Sequence, residues 1–172
     1  MQGHPGGISH TQQMLALAGL VPPAKILDMG AGNGESVTYL RTLGYEAEGI
    51  DLAPRTGSSY IIRGNFLYPP YNKETFDAIL SQCSFYVSDD VSWAFSSAYY
   101  LLKPNGILMI SDVCPRETSL VHFAKETGFS ILYHEDQTPA WKTYYIEALW
   151  RGTADCFPTH KKMNYELLIC KK

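Results

Sequence analysis

The chain has 172 residues, of which 45% are hydrophobic and 18% charged. That is an ordinary globular composition, long enough to bury roughly 70% of its unfolded surface without disulfides or a structural metal. Fourteen Lys and Arg against seventeen Asp and Glu leave a net charge of -3, which gives no global attraction to nucleic acid or anionic lipid. No apolar stretch reaches the roughly 20 residues needed to cross a bilayer, and Met1 to His10 lacks the charged-then-apolar pattern of a signal peptide. Cys83, Cys114, Cys156 and Cys170 are too widely spaced for a CxxC metal site. We expect no bound metal, reduced thiols and a cytoplasmic setting.

Ile8 to Leu20 carries apolar residues at helical spacing and is stopped by Val21-Pro22-Pro23. Lys25 to Met29 is a short apolar run ended by glycines, suited to a strand buried on both faces. Glu35 to Leu43 reads as a helix with Gly44 as its stop. Strands are expected over Ala47 to Leu52, Tyr60 to Arg63 and Phe76 to Phe85. A helix over Val91 to Leu102 is closed by Lys103-Pro104-Asn105-Gly106, and a strand follows over Ile107 to Val113. A helix over Ser119 to Thr127, a strand over Ser130 to His134, a helix within Ala140 to Ala154 and a strand over Tyr165 to Cys170 complete the chain. This alternation predicts an α/β fold with a mostly parallel sheet and helices on both faces, with ligands at the carboxyl ends of the strands. We expect one domain over residues 1–172, with an N-terminal helical segment at 1–24 and a helical insertion near 139–160.

The richest segment is Ile26-Leu27-Asp28-Met29-Gly30-Ala31-Gly32-Asn33-Gly34-Glu35-Ser36, a strand entering a glycine turn that opens a helix. Glycines there let the backbone take positive φ and approach a ligand closely. The dinucleotide fingerprint G-x-G-x-x-G would need glycine at position 35, where the chain has Glu35. Asp28 would also repel a pyrophosphate, whereas a cationic ligand would welcome it.

The segment resembles motif I of the class I S-adenosylmethionine-dependent methyltransferases, a strand with an acidic residue followed by G-x-G-x-G. Gly49-Ile50-Asp51-Leu52 places an acid 21 positions after Gly30, near the spacing of about 20 at which a carboxylate meets a ribose. Gly64-Asn65-Phe66, then Phe76-Asp77-Ala78-Ile79-Leu80-Ser81, then Leu101 to Leu108 resemble the next three motifs in order. The resemblance covers about Lys25 to Val113. It implies a doubly wound, Rossmann-like, seven-stranded sheet with its last strand antiparallel, and S-adenosyl-L-methionine as cofactor. It further implies that Asp28 and the loop Gly30, Ala31, Gly32, Asn33 and Gly34 hold the methionyl end. By the same resemblance, Asp51 accepts the ribose hydroxyls, Asn65 meets the adenine amino group, Leu52 and Phe66 sandwich the ring, and Ser81 and Gln82 face the sulfonium.

Three departures accompany the match. Only Ala53 to Ser59 separates the second and third strands, too short for a helical crossover, so the face near Tyr60 should be a flexible patch or a homodimer contact. Asn65 stands where the family more often has Asp. Tyr68-Pro69-Pro70-Tyr71 looks like an N/D-P-P-Y motif but precedes the fourth strand, and Ser81-Gln82-Cys83-Ser84 occupies the place where that motif belongs; we read it as a rigid turn.

Methyl transfer from a sulfonium depends chiefly on positioning, and a base is needed only for a protonated acceptor. His4, His10 and His134 read as core or solvated residues, and the sequence names no catalytic residue. Cys83 and Cys114, near the ends of adjacent strands, could meet at the pocket and suit a thiophilic acceptor. Trp141, Tyr144, Tyr145 and Trp150 form either an aromatic lid or a helix packed on the core. Three functions remain open: a methyltransferase with a small-molecule acceptor, an NAD(P)-dependent oxidoreductase, and a non-catalytic cofactor-binding module acting through a protein partner.

Overall fold

A computed structural model describes residues 6–55, 57–152 and 162–172. These form one seven-stranded sheet in the order β3-β2-β1-β4-β5-β7-β6. The strands are β1 (Lys25–Met29), β2 (Glu46–Asp51), β3 (Ile61–Arg63), β4 (Phe76–Gln82), β5 (Leu102–Pro115), β6 (Ser130–Asp136) and β7 (Met163–Lys171). β1 to β5 pair in parallel, and β7 runs antiparallel to both β5 and β6. The helices are α1 (Gly7–Ala18), α2 (Glu35–Thr42), α3 (Val91–Leu101), α4 (Leu120–Thr127) and α5 (Thr138–Trp150).

The two-residue period of a strand builds two cores, because successive side chains point to opposite faces. Leu27, Ile79, Leu108 and Leu168 join α3 and α4 on one face. Ile26, Leu80, Met109 and Leu167 join Met14 of α1 and Leu40 of α2 on the other. α1 turns His10, Thr11, Met14 and Leu15 inward, a stripe at the spacing one helix face requires. Side-chain caps start the two helices on the first face. Asp90 accepts the Trp93 N–H at 2.8 Å, and the Ser119 hydroxyl accepts from Val121.

The expected elements are present, with shifted ends. β5 starts at Leu102 rather than Ile107, because the tetrapeptide expected as a turn forms a bulge instead. Pairing slips between Phe76 and Ala78, and Asn105 takes φ 66°. α5 begins at Thr138, where the Asp136 carboxylate accepts the Thr138 N–H at 2.9 Å. Its expected continuation to Ala154, and the remainder of the insertion to residue 160, lie outside the described residues from 153 onward. No helix occurs among the described residues between β2 and β3. There the Arg41 guanidinium covers the Tyr60 ring at 3.5 Å, which leaves the ring half exposed. No described helix is long and apolar enough to cross a membrane.

Candidate functional site

The chain reverses direction across the sheet between β1 and β4, and a crevice opens at their carboxyl ends. A cleft of about 480 Å³ lies there, within the range of small-ligand sites. Asp28, Gly30, Ala31, Gly32 and Asn33 line it from β1 and its turn, Asp51 from β2, and Gln82 from β4.

Gly30, Gly32 and Gly34 have φ of 89°, 52° and 77°, the left-handed region that disfavours a side chain. At Gly30 the restriction is also steric, since a Cβ there would sit 2.0 Å from Ser84 Oγ. The turn is clamped from both sides. Gly30 and Ala31 donate to the Ile50 carbonyl at 2.9 and 3.2 Å, and Asp51 Oδ2 accepts the Gly32 N–H at 2.8 Å. Asp51 Oδ1 accepts from Ala53 at 2.8 Å. A carboxylate has about four acceptor sites, so these two bonds leave each oxygen capacity for one more. Asn33 Oδ1 accepts the Glu35 N–H at 3.2 Å and starts α2.

Asp28 is 5% exposed. Burial, and then the charge of Asp51, push its carboxyl up to about 7. Gln82 is 8% exposed, and its Oε1 accepts from Thr11 Oγ1 at 3.2 Å and Ser36 Oγ at 3.3 Å. Its Nε2 has no hydrogen-bond partner among the described residues, so a buried donor is left facing the cleft. Asp112, buried at 1% exposure, anchors the segment that follows the lining residues Cys83 and Ser84. Its Oδ2 accepts Phe85 and Tyr86 N–H at 2.8 and 3.1 Å. Burial lifts its carboxyl to about 6 against those N–H bonds.

Four further expected residues are not among those that line the cleft. Ser81 is fully buried and donates to the Met29 carbonyl at 3.1 Å, tying β4 to β1 behind the cleft. Phe66 is 7% exposed and stacks on Phe85 with ring centroids 5.7 Å apart. The ring belongs to the core on the α3 and α4 face, beside the Gly30 turn. Leu52 is 63% exposed and lies off the lining. Asn65 Oδ1 accepts the Leu67 N–H at 2.9 Å in a local turn, which leaves the oxygen one further acceptor site. The Tyr68 to Tyr71 turn packs at the amino end of β4, where Tyr71 meets Phe76 edge-on, far from the cleft.

The two thiols are separated by the sheet. Cys83 packs with Trp141, Met163 and Tyr165, whereas Cys114 is buried in the core on the α3 and α4 face. Burial and then the Asp112 charge push the Cys83 thiol up to about 12. His134 pairs with the buried Glu166 at 3.2 Å, away from the cleft, and His4 lies outside the described residues. Among the described residues no cluster of His, Cys, Asp and Glu could hold a metal.

Sequence reasoning missed Thr11, Ser36, Arg55, Ser84 and Val87. One signal was available: His10 and Thr11 are polar residues on the inward stripe of an amphipathic helix, where apolar residues are the rule.

The family profile described as "Methyltransferase domain" matches residues 9–164. A glycine/sarcosine/dimethylglycine N-methyltransferase of Actinopolyspora halophila is 31% identical over 116 residues, which cover 59% of this chain and 20% of that protein. A phosphoethanolamine N-methyltransferase of Triticum aestivum is 30% identical over 143 residues, 73% of this chain and 28% of that protein. The chain thus spans less than a third of either relative. The solved structure of Haemonchus contortus phosphoethanolamine N-methyltransferase 2 in complex with S-adenosyl-L-methionine superposes with a TM-score of 0.78 at 19% identity, over 98% of this chain and 53% of that one. The profile spans most of the sequence, the fold is the same and the glycine turn sits at the switch point: the chain belongs to the methyltransferase domain family.

Proposed function

We propose that the chain binds S-adenosyl-L-methionine in the β1–β4 cleft and transfers its methyl group to a small-molecule acceptor. The observation that carries this reading is the pairing of two carboxylates, buried Asp28 and strand-end Asp51, around a positive-φ glycine turn. Among the described lining residues, Glu35 joins them to set three acids against one cation, Arg55. That balance suits a cationic ligand and opposes a pyrophosphate. The groups present fit the cofactor: Asp51 has acceptor capacity for two ribose hydroxyls, Asp28 faces the ammonium of the methionyl end, and Gln82 Nε2 is a spare donor for its carboxylate. When bound, the cofactor supplies an electrophilic methyl on a sulfonium that leaves as a neutral thioether. The residues of this chain orient it and exclude water, and in such a reaction positioning provides much of the rate.

A cytoplasmic setting is part of the same reading, supported by free Cys83, Cys114 and Cys170. A homodimer has two exposed aromatic faces open to it, the β3 edge, where Tyr60 stays half exposed, and the outer face of α3, where Trp93 does.

A thermal-shift panel tests the cofactor. S-adenosylhomocysteine at a hundredfold excess over its Kd should raise stability by about 2.7 kcal/mol, and NADH should not. Stabilisation by NADH alone would replace this reading with an oxidoreductase. No response to either would favour a module that acts through a partner.

A further inference from the structure

Helix α3, Val-Ser-Trp-Ala-Phe-Ser-Ser-Ala-Tyr-Tyr-Leu, carries no charged residue. Ala94, Phe95, Ser97, Ala98 and Leu101 are buried, and Trp93, Ser96 and Tyr100 stand together on the outer face, as the helical period requires. Trp93 and Tyr100 are 48% and 47% exposed. The outer face of such a helix is ordinarily charged, and a contiguous apolar surface in its place marks a contact site.

The Tyr68-Pro69-Pro70-Tyr71 turn extends this face. The Leu67 carbonyl accepts from the Trp93 indole at 2.8 Å, and the Glu74 N–H donates to the Tyr100 carbonyl at 3.0 Å. The segment between them therefore runs alongside the helix from Trp93 to Tyr100, roughly 10 Å. Tyr71 anchors it inward on Phe76, whereas Tyr68 is 71% exposed with its ring centroid 6.1 Å from that of Trp93. The indole N–H is spent on the backbone, so what Trp93 offers a neighbour is apolar ring. That bond and the two prolines fix the rings before any contact is made, which lowers the entropy lost on association.

Charge is confined to the two ends of the surface, and the ends differ in sign. Exposed Asp89 and Asp90 precede the helix. Beyond its other end lie Lys73, Lys103 and Lys172, paired with only two carboxylates, Glu74 and Asp77. A copy of this surface turned end for end sets acids against lysines at both extremities and ring against ring between them, whereas a parallel copy would set acids against acids. Ser96, midway between the two rings, is small enough for the helices to approach within about 8–10 Å.

We infer that the outer face of α3, with the Tyr68 turn, binds a second copy of this chain about a two-fold axis at Ser96, Trp93 of each copy packing on Tyr100 of the other. A two-fold contact needs a patch complementary to itself, and Trp and Tyr are the residues that most often carry its energy. The β3 edge is less suited, because Arg41 covers Tyr60 and two copies meeting there would bring guanidinium against guanidinium. The inference does not depend on what the cleft binds.

Sedimentation velocity at micromolar concentrations tests it. The natural protein should sediment as a dimer. Ser96→Arg and Ser96→Glu, each setting like charges on the axis, should both be monomeric, and an equimolar mixture of the two should recover the dimer. Tyr100→Ala, a truncation at a half-exposed ring, should raise the dissociation constant at least tenfold, and Tyr60→Lys should leave the dimer intact. A natural protein that stays monomeric, a dimer that survives both Ser96 substitutions or is untouched by Tyr100→Ala, a mixture that stays monomeric, or a dimer lost with Tyr60→Lys would overturn the inference. The S-adenosylhomocysteine thermal shift of the same samples reports separately on the cofactor reading.

Discussion

Asp51 Oδ2 accepts the Gly32 N–H at 2.8 Å, so the carboxylate proposed to hold the ribose also fixes the turn proposed to hold the methionyl end. The two functions of one side chain are coupled. Asp51→Ala should weaken S-adenosylhomocysteine roughly 30- to 150-fold, the equivalent of about 2–3 kcal/mol for lost hydrogen bonds to a charged acceptor. Asp51→Asn keeps one acceptor oxygen and should lose less. Calorimetry on the two variants checks the order.

Gly30 and Ser84 are in steric opposition, because a Cβ on Gly30 would meet Ser84 Oγ at 2.0 Å and Cβ at 2.4 Å. Gly30→Ala should cost about 1–3 kcal/mol for overpacking, and roughly 1–3 more for a side chain at φ 89°. Adding Ser84→Gly removes the collision but not the backbone cost. Chemical denaturation should therefore show partial recovery in the double variant.

Asp28 links pH to both stability and binding. Its folded carboxyl sits near 7 against an ordinary value of 3.8, so the native state holds a proton that the unfolded chain has released. Its contribution to stability is full below about pH 4 and is lost as pH rises through 7. Asp28→Asn, neutral throughout, should raise Tm relative to the natural protein at pH 8. Binding runs in the opposite sense: the ammonium of the ligand's methionyl-type end needs the carboxylate, so S-adenosylhomocysteine should bind about tenfold more weakly at pH 6 than at pH 8. In Asp28→Asn that difference should vanish. Affinities measured at the two pH values decide it.

Those positions were readable in the sequence because a local rule fixes them. Three glycines within five residues after an apolar strand announce the turn, and Asp51 falls at a spacing set by one βαβ unit. Phe66 was not readable, because an aromatic residue beside a motif suits either a core or a ligand until Phe85, nineteen positions on, is seen stacked against it. The Thr11–Gln82–Ser36 cluster joins residues 71 and 46 positions apart, and only the docking of α1 brings them together. The early start of β5 depends on a bulge at Asn105, where turn residues are absorbed into a ladder rather than ending one. Neighbouring strand ends also suggested that Cys83 and Cys114 could meet, but Cys83 lies past the end of β4 at φ 57° and packs in a different core from Cys114.

Cys83 should accordingly be a sluggish thiol despite its place on the cleft wall. With its ionisation near 12, the thiolate fraction at pH 8 is roughly a thousandfold below that of a thiol at 9. Iodoacetamide labelling followed by mass spectrometry should show Cys83 modified far more slowly than free cysteine. Cys83→Ser should leave S-adenosylhomocysteine affinity within about twofold.

A crystal structure of the protein grown with S-adenosylhomocysteine addresses the cofactor assignment most directly. We predict the ribose hydroxyls on the Asp51 carboxylate, the ammonium beside Asp28 and the ligand carboxylate within reach of Gln82 Nε2. A cleft empty at saturating ligand, or a nucleoside bound away from Asp51, would contradict the assignment.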